Sequence, residues 1–125
     1  CVGNNGGDGL VIARKLFLLG KGVKIVVVNC GTKKSLEFVT NINIIKKLNI
    51  EIKEINKDSD FDKELIDDIK NSDIVLDSIL GIGLNRIIEG VIYKVIESIN
   101  TYSYYVLSVD IPSGIDSISV EVVRI

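Results

Sequence analysis

Three short segments of the sequence combine glycine with polar side chains, a composition typical of ligand-binding loops. Residues 3–9 read Gly-Asn-Asn-Gly-Gly-Asp-Gly, residues 77–86 run from an aspartate through two glycines to an arginine, and residues 110–114 read Asp-Ile-Pro-Ser-Gly. Each segment is predicted to follow the carboxyl end of a β-strand. Because ligands of an open parallel sheet bind beyond those ends, we predict that the three segments line one site.

The first segment favours contact with a phosphate or a sugar. Its glycines are suited to positive φ and to close approach of a ligand, and the helix that follows would direct free N–H groups at an anion. A tight strand-to-helix turn also requires glycine, so that alternative stays open. Asn4, Asn5 and Asp8 favour binding, because a turn alone does not require three amide and carboxylate groups.

Two common nucleotide-binding patterns do not match. The dinucleotide fingerprint has a different glycine spacing and expects an acidic residue at the end of the second strand, where this sequence has Val28, Asn29 and Cys30. The phosphate loop of nucleotide hydrolases requires Lys and then Ser or Thr after its last glycine, and no stretch provides them. An ordinary dehydrogenase or kinase is therefore disfavoured.

The second and third segments offer charged groups beside flexible backbone. Arg86 could bind a phosphate through two parallel hydrogen bonds, and Asp110 is predicted at a strand tip beside the hydroxyl of Ser113. For the second segment, a plain loop with Arg86 exposed stays open as an alternative. For the third segment, a helix cap formed by Asp110 stays open. Asn5, Asp77 and Ser113 together supply oxygen atoms only, which suits a hard cation, and the single carboxylate suggests a monovalent ion.

The elements that must position these segments alternate along the chain. Apolar periodicity predicts helices over residues 10–19, 35–48, 58–70 and 87–100, the second with Thr32 or Ser35 as its cap, and strands over 23–28, 50–55, 73–80 and 104–109, with one more strand over 117–125. Strands alternating with helices of this length predict an α/β fold with a mainly parallel central sheet. Residues 1–125 are predicted to form a single domain.

Composition limits the function classes. A net charge of −2 gives no electrostatic footprint for nucleic acid, and no apolar run reaches the roughly 20 residues that span a bilayer. Two cysteines and no histidine favour a reducing, cytoplasmic location and exclude a histidine-based metal site. Because the chain enters its glycine-rich segment almost at once, we interpret it as truncated at both ends, and a targeting peptide ahead of it stays open.

Taken in order, the three segments resemble the YjeF N-terminal domain family of NAD(P)H-hydrate epimerases. Each motif is modest by itself, whereas all three in order are highly specific, and the similarity covers nearly the whole chain. The resemblance implies a three-layer Rossmann-like fold. It also implies an isomerase that interconverts the R and S forms of NADHX and NADPHX, hydrated nicotinamide cofactors, so that a fused or separate ADP- or ATP-dependent dehydratase specific for the S form can restore the cofactor.

The resemblance also assigns residues. Asp110 is expected to be the acid/base, because inverting a hydroxyl-bearing carbon requires proton transfer. A potassium ion would be held by Asn5, Asp77 and Ser113. The expected substrate contacts are Asn4, Asn5, Gly6, Gly7, Asp8, Gly81, Ile82, Gly83, Leu84, Asn85, Arg86, Ile87 and Asp110.

A second hypothesis is a non-catalytic relative of the same fold that acts as a protein-interaction or RNA-associated dimer module. Retention of the polar loop residues favours the enzyme, because a scaffold has no chemical reason to keep them. Tyr102, Tyr104 and Tyr105 could line a homodimer interface or pack in the core. Asn29 and the Lys33-Lys34 pair do not distinguish NADHX from NADPHX.

Overall fold

A computed structural model describes residues 4–29, 34–79 and 90–109. Helices and strands alternate within these ranges, as predicted, and form a mixed α/β structure. The helices are α1 (Asn4–Leu18), α2 (Leu36–Ile45), α3 (Lys63–Asn71) and α4 (Gly90–Tyr102), and the strands are β1 (Lys24–Val28), β2 (Glu51–Ile55), β3 (Val75–Asp77) and β4 (Val106–Ser108).

The four strands form two parallel pairs. β1 pairs with β2, with Lys24 opposite Glu51, and β3 pairs with β4, with Asp77 opposite Ser108. Parallel pairing is confirmed, but the described strands form two two-stranded sheets and not the single sheet that was predicted. Residues of β1 and β3 both line a cavity of about 820 Å³, which lies between the two pairs.

The β1–β2 pair has helices packed against both of its faces. Ile25 and Val27 belong to a buried cluster with residues of α1 and α2, such as Leu10 and Phe38. Val28 lies on the opposite face of the β1–β2 pair and belongs to a second buried cluster, which includes residues of α3 and α4. Alternate side chains of β1 therefore enter different cores, which explains why residues 25–28 are a continuous apolar run.

The first helix begins earlier than predicted. A loop was expected over residues 3–9, but α1 starts at Asn4 and runs to Leu18, so residues 4–9 of that segment are helical. The idea that its glycines adopt positive φ is wrong for those that the structure describes, because the described positive-φ glycines are Gly20 and Gly90. Gly20, with φ of 86°, lies two residues after the end of α1, in the left-handed conformation that commonly ends a helix.

The helix predicted over residues 58–70 is divided in two. A 3₁₀ turn, Asp58–Asp60, precedes α3, which begins only at Lys63. The Asp60 carboxylate accepts hydrogen bonds from the backbone N–H groups of Asn56 and Lys57, which lowers the pKa of Asp60. Local carboxylate-to-backbone hydrogen bonds of this kind compete with a continuous helix.

Capping residues set the starts of two helices. Ser35 caps α2 by accepting the N–H of Phe38 at 3.0 Å, which confirms one of the two predicted caps, whereas Thr32 lies outside the described residues. Asp62 caps α3 through Leu65. Helix α2 ends at Ile45, earlier than the predicted residue 48, whereas α4 ends at Tyr102, two residues later than predicted. Strands β3 and β4 are three residues each, shorter than predicted.

Candidate functional site

The first predicted segment forms the start of α1. Gly6 and Gly7 are buried, whereas Asp8 is exposed. The first N–H groups of a helix have no partner within it, so the beginning of α1 is suited to an anion. The segment is helical from Asn4 and not the predicted loop.

Gly9 joins this helix to the second predicted segment. A Cβ atom built on Gly9 would lie 2.8 Å from Cβ of Ser78 and closer still to its Oγ, which is shorter than real contacts allow. Ser78 directly follows Asp77 at the end of β3. The absence of a side chain at Gly9 therefore allows the first turns of α1 to lie against the carboxyl end of β3, and two of the three predicted segments meet.

Asp77 is the most buried acidic residue of this region, with 1% of its surface exposed. Its Oδ1 accepts a hydrogen bond from the backbone N–H of Ile79 at 3.2 Å. A carboxylate is rarely buried without hydrogen bonds or a cation, because burial disfavours its charge. Its place at the tip of β3 presents a hard oxygen donor beside α1.

The third segment follows the neighbouring strand. The backbone N–H of Val109 donates to the carbonyl oxygen of Asp77 at 2.9 Å, so β4 reaches the same end of the β3–β4 pair as Asp77. Asp110 is the next residue along the chain. Asp110 itself, Ser113 and residues 81–87 lie outside the described part of the chain, as do the side chains of Asn4 and Asn5, whose backbone belongs to α1.

Sequence reasoning missed Glu37. A Cβ atom on Gly7 would lie 3.0 Å from Cγ of Glu37 and 3.3 Å from the backbone nitrogen of Phe38, so the start of α2 packs closely on the start of α1. The neighbouring Asp8 carboxyl raises the pKa of Glu37. No sequence signal marks the contact of Glu37 with Gly7, because the two residues are distant along the chain.

The described residues contain no group of three or more His, Cys, Asp and Glu side chains arranged to hold a metal ion. None of the helices over residues 4–29, 34–79 and 90–109 is long and apolar enough to cross a membrane.

The arrangement combines three chemical elements at one end of the molecule. The start of α1 offers backbone N–H groups, the tip of β3 offers a buried carboxylate, and the carboxyls of Asp8 and Glu37 lie at the surface. Such a site can hold a phosphate-bearing ligand by its anionic part while carboxyl groups contact donors on the rest of the ligand.

Comparison with known proteins gives a family match over almost the whole chain. The family model described as YjeF-related protein N-terminus matches residues 2–125.

Similar proteins carry related names. An NAD(P)H-hydrate epimerase of Anaerococcus prevotii is 41% identical over 122 residues, covering 92% of this chain and 52% of the relative. An NAD(P)H-hydrate epimerase of Limosilactobacillus fermentum is 37% identical, covering 92% and 50%. A bifunctional NAD(P)H-hydrate repair enzyme Nnr of Thermofilum pendens is 40% identical, covering 90% and 21%. The chain thus spans about half the length of the two epimerases and about a fifth of the bifunctional enzyme.

Proposed function

The chain belongs to the YjeF-related protein N-terminus family, and we propose that the protein containing it is an NAD(P)H-hydrate epimerase. Its substrates would be the R and S forms of NADHX and NADPHX, and its role would be the repair of hydrated nicotinamide cofactors. The names of the similar proteins support this assignment.

The single observation that carries the proposal is the packing of Gly9 against Ser78. It brings the anion-binding start of α1 to the carboxylate at the tip of β3. A nucleotide substrate needs both a cradle for its phosphates and groups that face its reacting ring. We therefore place the phosphates near the start of α1, with Arg86 as a second phosphate contact.

The reaction inverts the carbon that bears the hydroxyl group of the hydrated ring. The C–O bond breaks as the leaving hydroxyl takes a proton from an acid, and water then adds from the opposite face and returns a proton to the resulting base. We assign this acid/base role to Asp110. The backbone contacts at α1 hold the substrate in position, and positioning of this kind lowers the barrier by avoiding the entropy loss at the moment of reaction.

A potassium ion fits the donor set, since Asp77 provides a buried carboxylate oxygen at the strand tip. Asn5 and Ser113 would complete the ligands, and the ion would supply positive charge that orients the phosphates. We expect potassium to raise the thermal unfolding temperature of the protein more than sodium at equal ionic strength, with Asp77→Asn removing the difference. Equal unfolding temperatures in the two salts would exclude the ion from this site.

We also propose a three-layer Rossmann-like fold, because helices pack on both faces of the β1–β2 pair.

The partner enzyme would be a dehydratase that acts on the S form, and the presence of a bifunctional repair enzyme among the similar proteins supports that pairing. A homodimer remains a proposal, supported by the exposure of Tyr104 and Tyr105, and so does a cytoplasmic location, supported by the low cysteine content.

The test uses the complete protein that contains this chain. Racemic hydrated NADH is supplied with an S-specific dehydratase, and recovery of NADH is followed by its absorbance. We expect the R form to be consumed faster than its spontaneous rate, and Asp110→Asn to reduce kcat by about 100-fold or more, as for loss of a general acid/base. No acceleration by the wild type would favour the non-catalytic interaction module, and parent activity in Asp110→Asn would exclude the acid/base assignment.

A further inference from the structure

Asn29 lies at the carboxyl end of β1, directly after the last residue of the strand. Its backbone N–H donates to the carbonyl oxygen of Ile55 at 2.8 Å, so Asn29 continues the parallel register of β1 with β2 by one residue. The residue is exposed. Because ligands of parallel sheets bind beyond the carboxyl ends of the strands, Asn29 lies at the edge where a substrate is expected.

The neighbours of Asn29 along β1 connect it to the other elements of the proposed site. Val28 belongs to the same buried cluster as Ile79, which lies two residues beyond the tip of β3. Val27 belongs to the other cluster, together with Leu10 in the second turn of α1. The first turns of α1 also lie against the end of β3. The end of β1, the start of α1 and the tip of β3 therefore lie at the same end of the molecule.

The position of Asn29 is one that distinguishes ribose groups in nucleotide-binding α/β folds. In these folds an acidic residue about 20 residues beyond the glycine-rich turn accepts a hydrogen bond from the 2′-hydroxyl of the adenosine ribose. A carboxylate at this position repels a 2′-phosphate, because both groups are negative. Asn29 follows Gly9 by 20 residues and carries a neutral amide. The amide oxygen can accept from a hydroxyl, and the amide N–H groups can donate to a phosphate.

We propose that Asn29 allows the site to bind the adenosine ribose with or without a 2′-phosphate, so that hydrated NADH and hydrated NADPH are both accepted. This inference rests on the proposed function, because it uses the two substrates named there. It assigns the balance between them to a residue outside the three sequence segments. The exposed carboxyls of Asp8 and Glu37 lie at the same end of the molecule, so a further carboxylate at residue 29 would make this end more repulsive to a phosphate.

The kinetic test compares the wild type with Asn29→Asp and Asn29→Lys in the complete protein, using hydrated NADH and hydrated NADPH. Asn29→Asp should lower kcat/KM for hydrated NADPH relative to hydrated NADH about tenfold or more, as for a carboxylate beside a doubly charged phosphate in water. Asn29→Lys should shift the same ratio in the opposite direction, because an ammonium group attracts the phosphate. Asn49→Asp makes the same change at an exposed position ahead of β2, at the opposite end of the strands, and should leave the ratio unchanged.

Two further properties of the Asn29→Asp effect separate substrate selection from a structural role. The loss for hydrated NADPH should appear in KM and not in kcat, because the 2′-phosphate is remote from the reacting ring. The loss should also shrink as the salt concentration rises, since salt screens exposed charges. An unchanged ratio in Asn29→Asp, or an equal loss with both substrates, would overturn the role of Asn29 even in an active epimerase.

A binding measurement does not depend on activity. ADP-ribose and its 2′-phosphorylated form carry the adenosine half of the two substrates, and their dissociation constants are measured by calorimetry with the wild type and with Asn29→Asp. We expect the wild type to bind both probes and Asn29→Asp to lose affinity mainly for the phosphorylated one. Failure of the wild type to bind the phosphorylated probe would overturn the inference. The expected selective loss in a protein without epimerase activity would support the role of Asn29 and overturn the proposed function instead.

Discussion

The two helix pairs on opposite faces of β1–β2 are attached in different ways. On the face of α3 and α4, charged side chains connect the elements: Lys24 contacts Asp68 and Glu64, and Lys53 contacts both carboxylate oxygens of Asp62 at 2.7 and 2.8 Å. On the face of α1 and α2, the close contacts made by the first turns of α1 occur at glycines. Both faces have an apolar cluster, but ion pairs add to the first face, whereas on the second face the start of α1 packs closely through its glycines.

The same difference affects tolerance to substitution. An ion pair on the α3 face can lose a partner while the helix keeps its buried residues, Leu65 and Ile69. At Gly9, by contrast, a Cβ atom would overlap the side chain of Ser78, and at Gly7 it would press on Glu37 and the backbone of Phe38. We conclude that the face proposed to bind substrate depends on small residues at defined positions, and three of them, Gly6, Gly7 and Gly9, are buried.

The largest effect is expected for Gly9→Ala. Alanine favours a helix over glycine by about 1 kcal/mol, but its Cβ would meet both Cβ and Oγ of Ser78, so the end of β3 or α1 must move. We expect a net loss of about 2 kcal/mol in the free energy of unfolding, measured by urea denaturation. Epimerase activity should fall as well, because the shift separates α1 from Asp77.

Two matched variants sharpen this prediction. Gly9→Ala combined with Ser78→Gly should recover most of the lost stability, since the clashing atoms are removed. Gly22→Ala should change the free energy of unfolding by less than about 0.5 kcal/mol, because a Cβ on Gly22 meets nothing within 4 Å. If Gly9→Ala were as stable as Gly22→Ala, the contact between α1 and the end of β3 would be wrong.

A smaller effect is expected on the opposite face for Lys24→Met. The Lys24 side chain is 21% exposed, and its ammonium group contacts the carboxylates of Glu51, Glu64 and Asp68. The hydrogen bond to Asp68 contributes most to raising the pKa of Lys24. Methionine keeps the apolar stem but leaves the carboxylates of β2 and α3 without their shared cation. We expect a loss of about 1 kcal/mol in the free energy of unfolding, between the values typical of exposed and of buried pairs.

The control for this variant is Lys94→Met. Lys94 lies 3.5 Å from one oxygen of Asp58, and both side chains are about half exposed or more. Exposed pairs contribute little, so the change should be below about 0.5 kcal/mol. Epimerase activity should survive both substitutions at the level of the wild type. An activity loss in Lys24→Met at unchanged stability would contradict the separation of the two faces.

Much of the fold could be predicted from the sequence, because local patterns determine it. The continuous apolar run of β1 predicted a strand buried on both faces, and the spacing of apolar residues predicted α2 and its Ser35 cap. Boundaries were less accurate where side chains bond to nearby backbone. Asp60 and Asp62 divided a predicted helix, since Asp60 accepts the N–H groups of Asn56 and Lys57 in a turn and Asp62 caps a new helix start through Leu65.

The candidate site, too, could be predicted from the sequence only in part. The polar segments were recognised from residue types, and the register of β3 and β4 brings Asp77 to the same strand end as the residue before Asp110. The contact of Glu37 with Gly7 could not have been found in this way, because it depends on how α2 packs against α1. The helical start of α1 was missed because glycine-rich composition normally indicates a loop.

The sequence by itself determined the alternation of strands and helices, the parallel pairing and the residue types available at the site, because periodicity and composition act over a few neighbouring residues. Only the tertiary structure decided that the glycines of α1 serve close packing, that Gly9 meets Ser78 and that Gly7 meets Glu37. Such contacts join residues distant along the chain, so their geometry depends on how whole elements pack together.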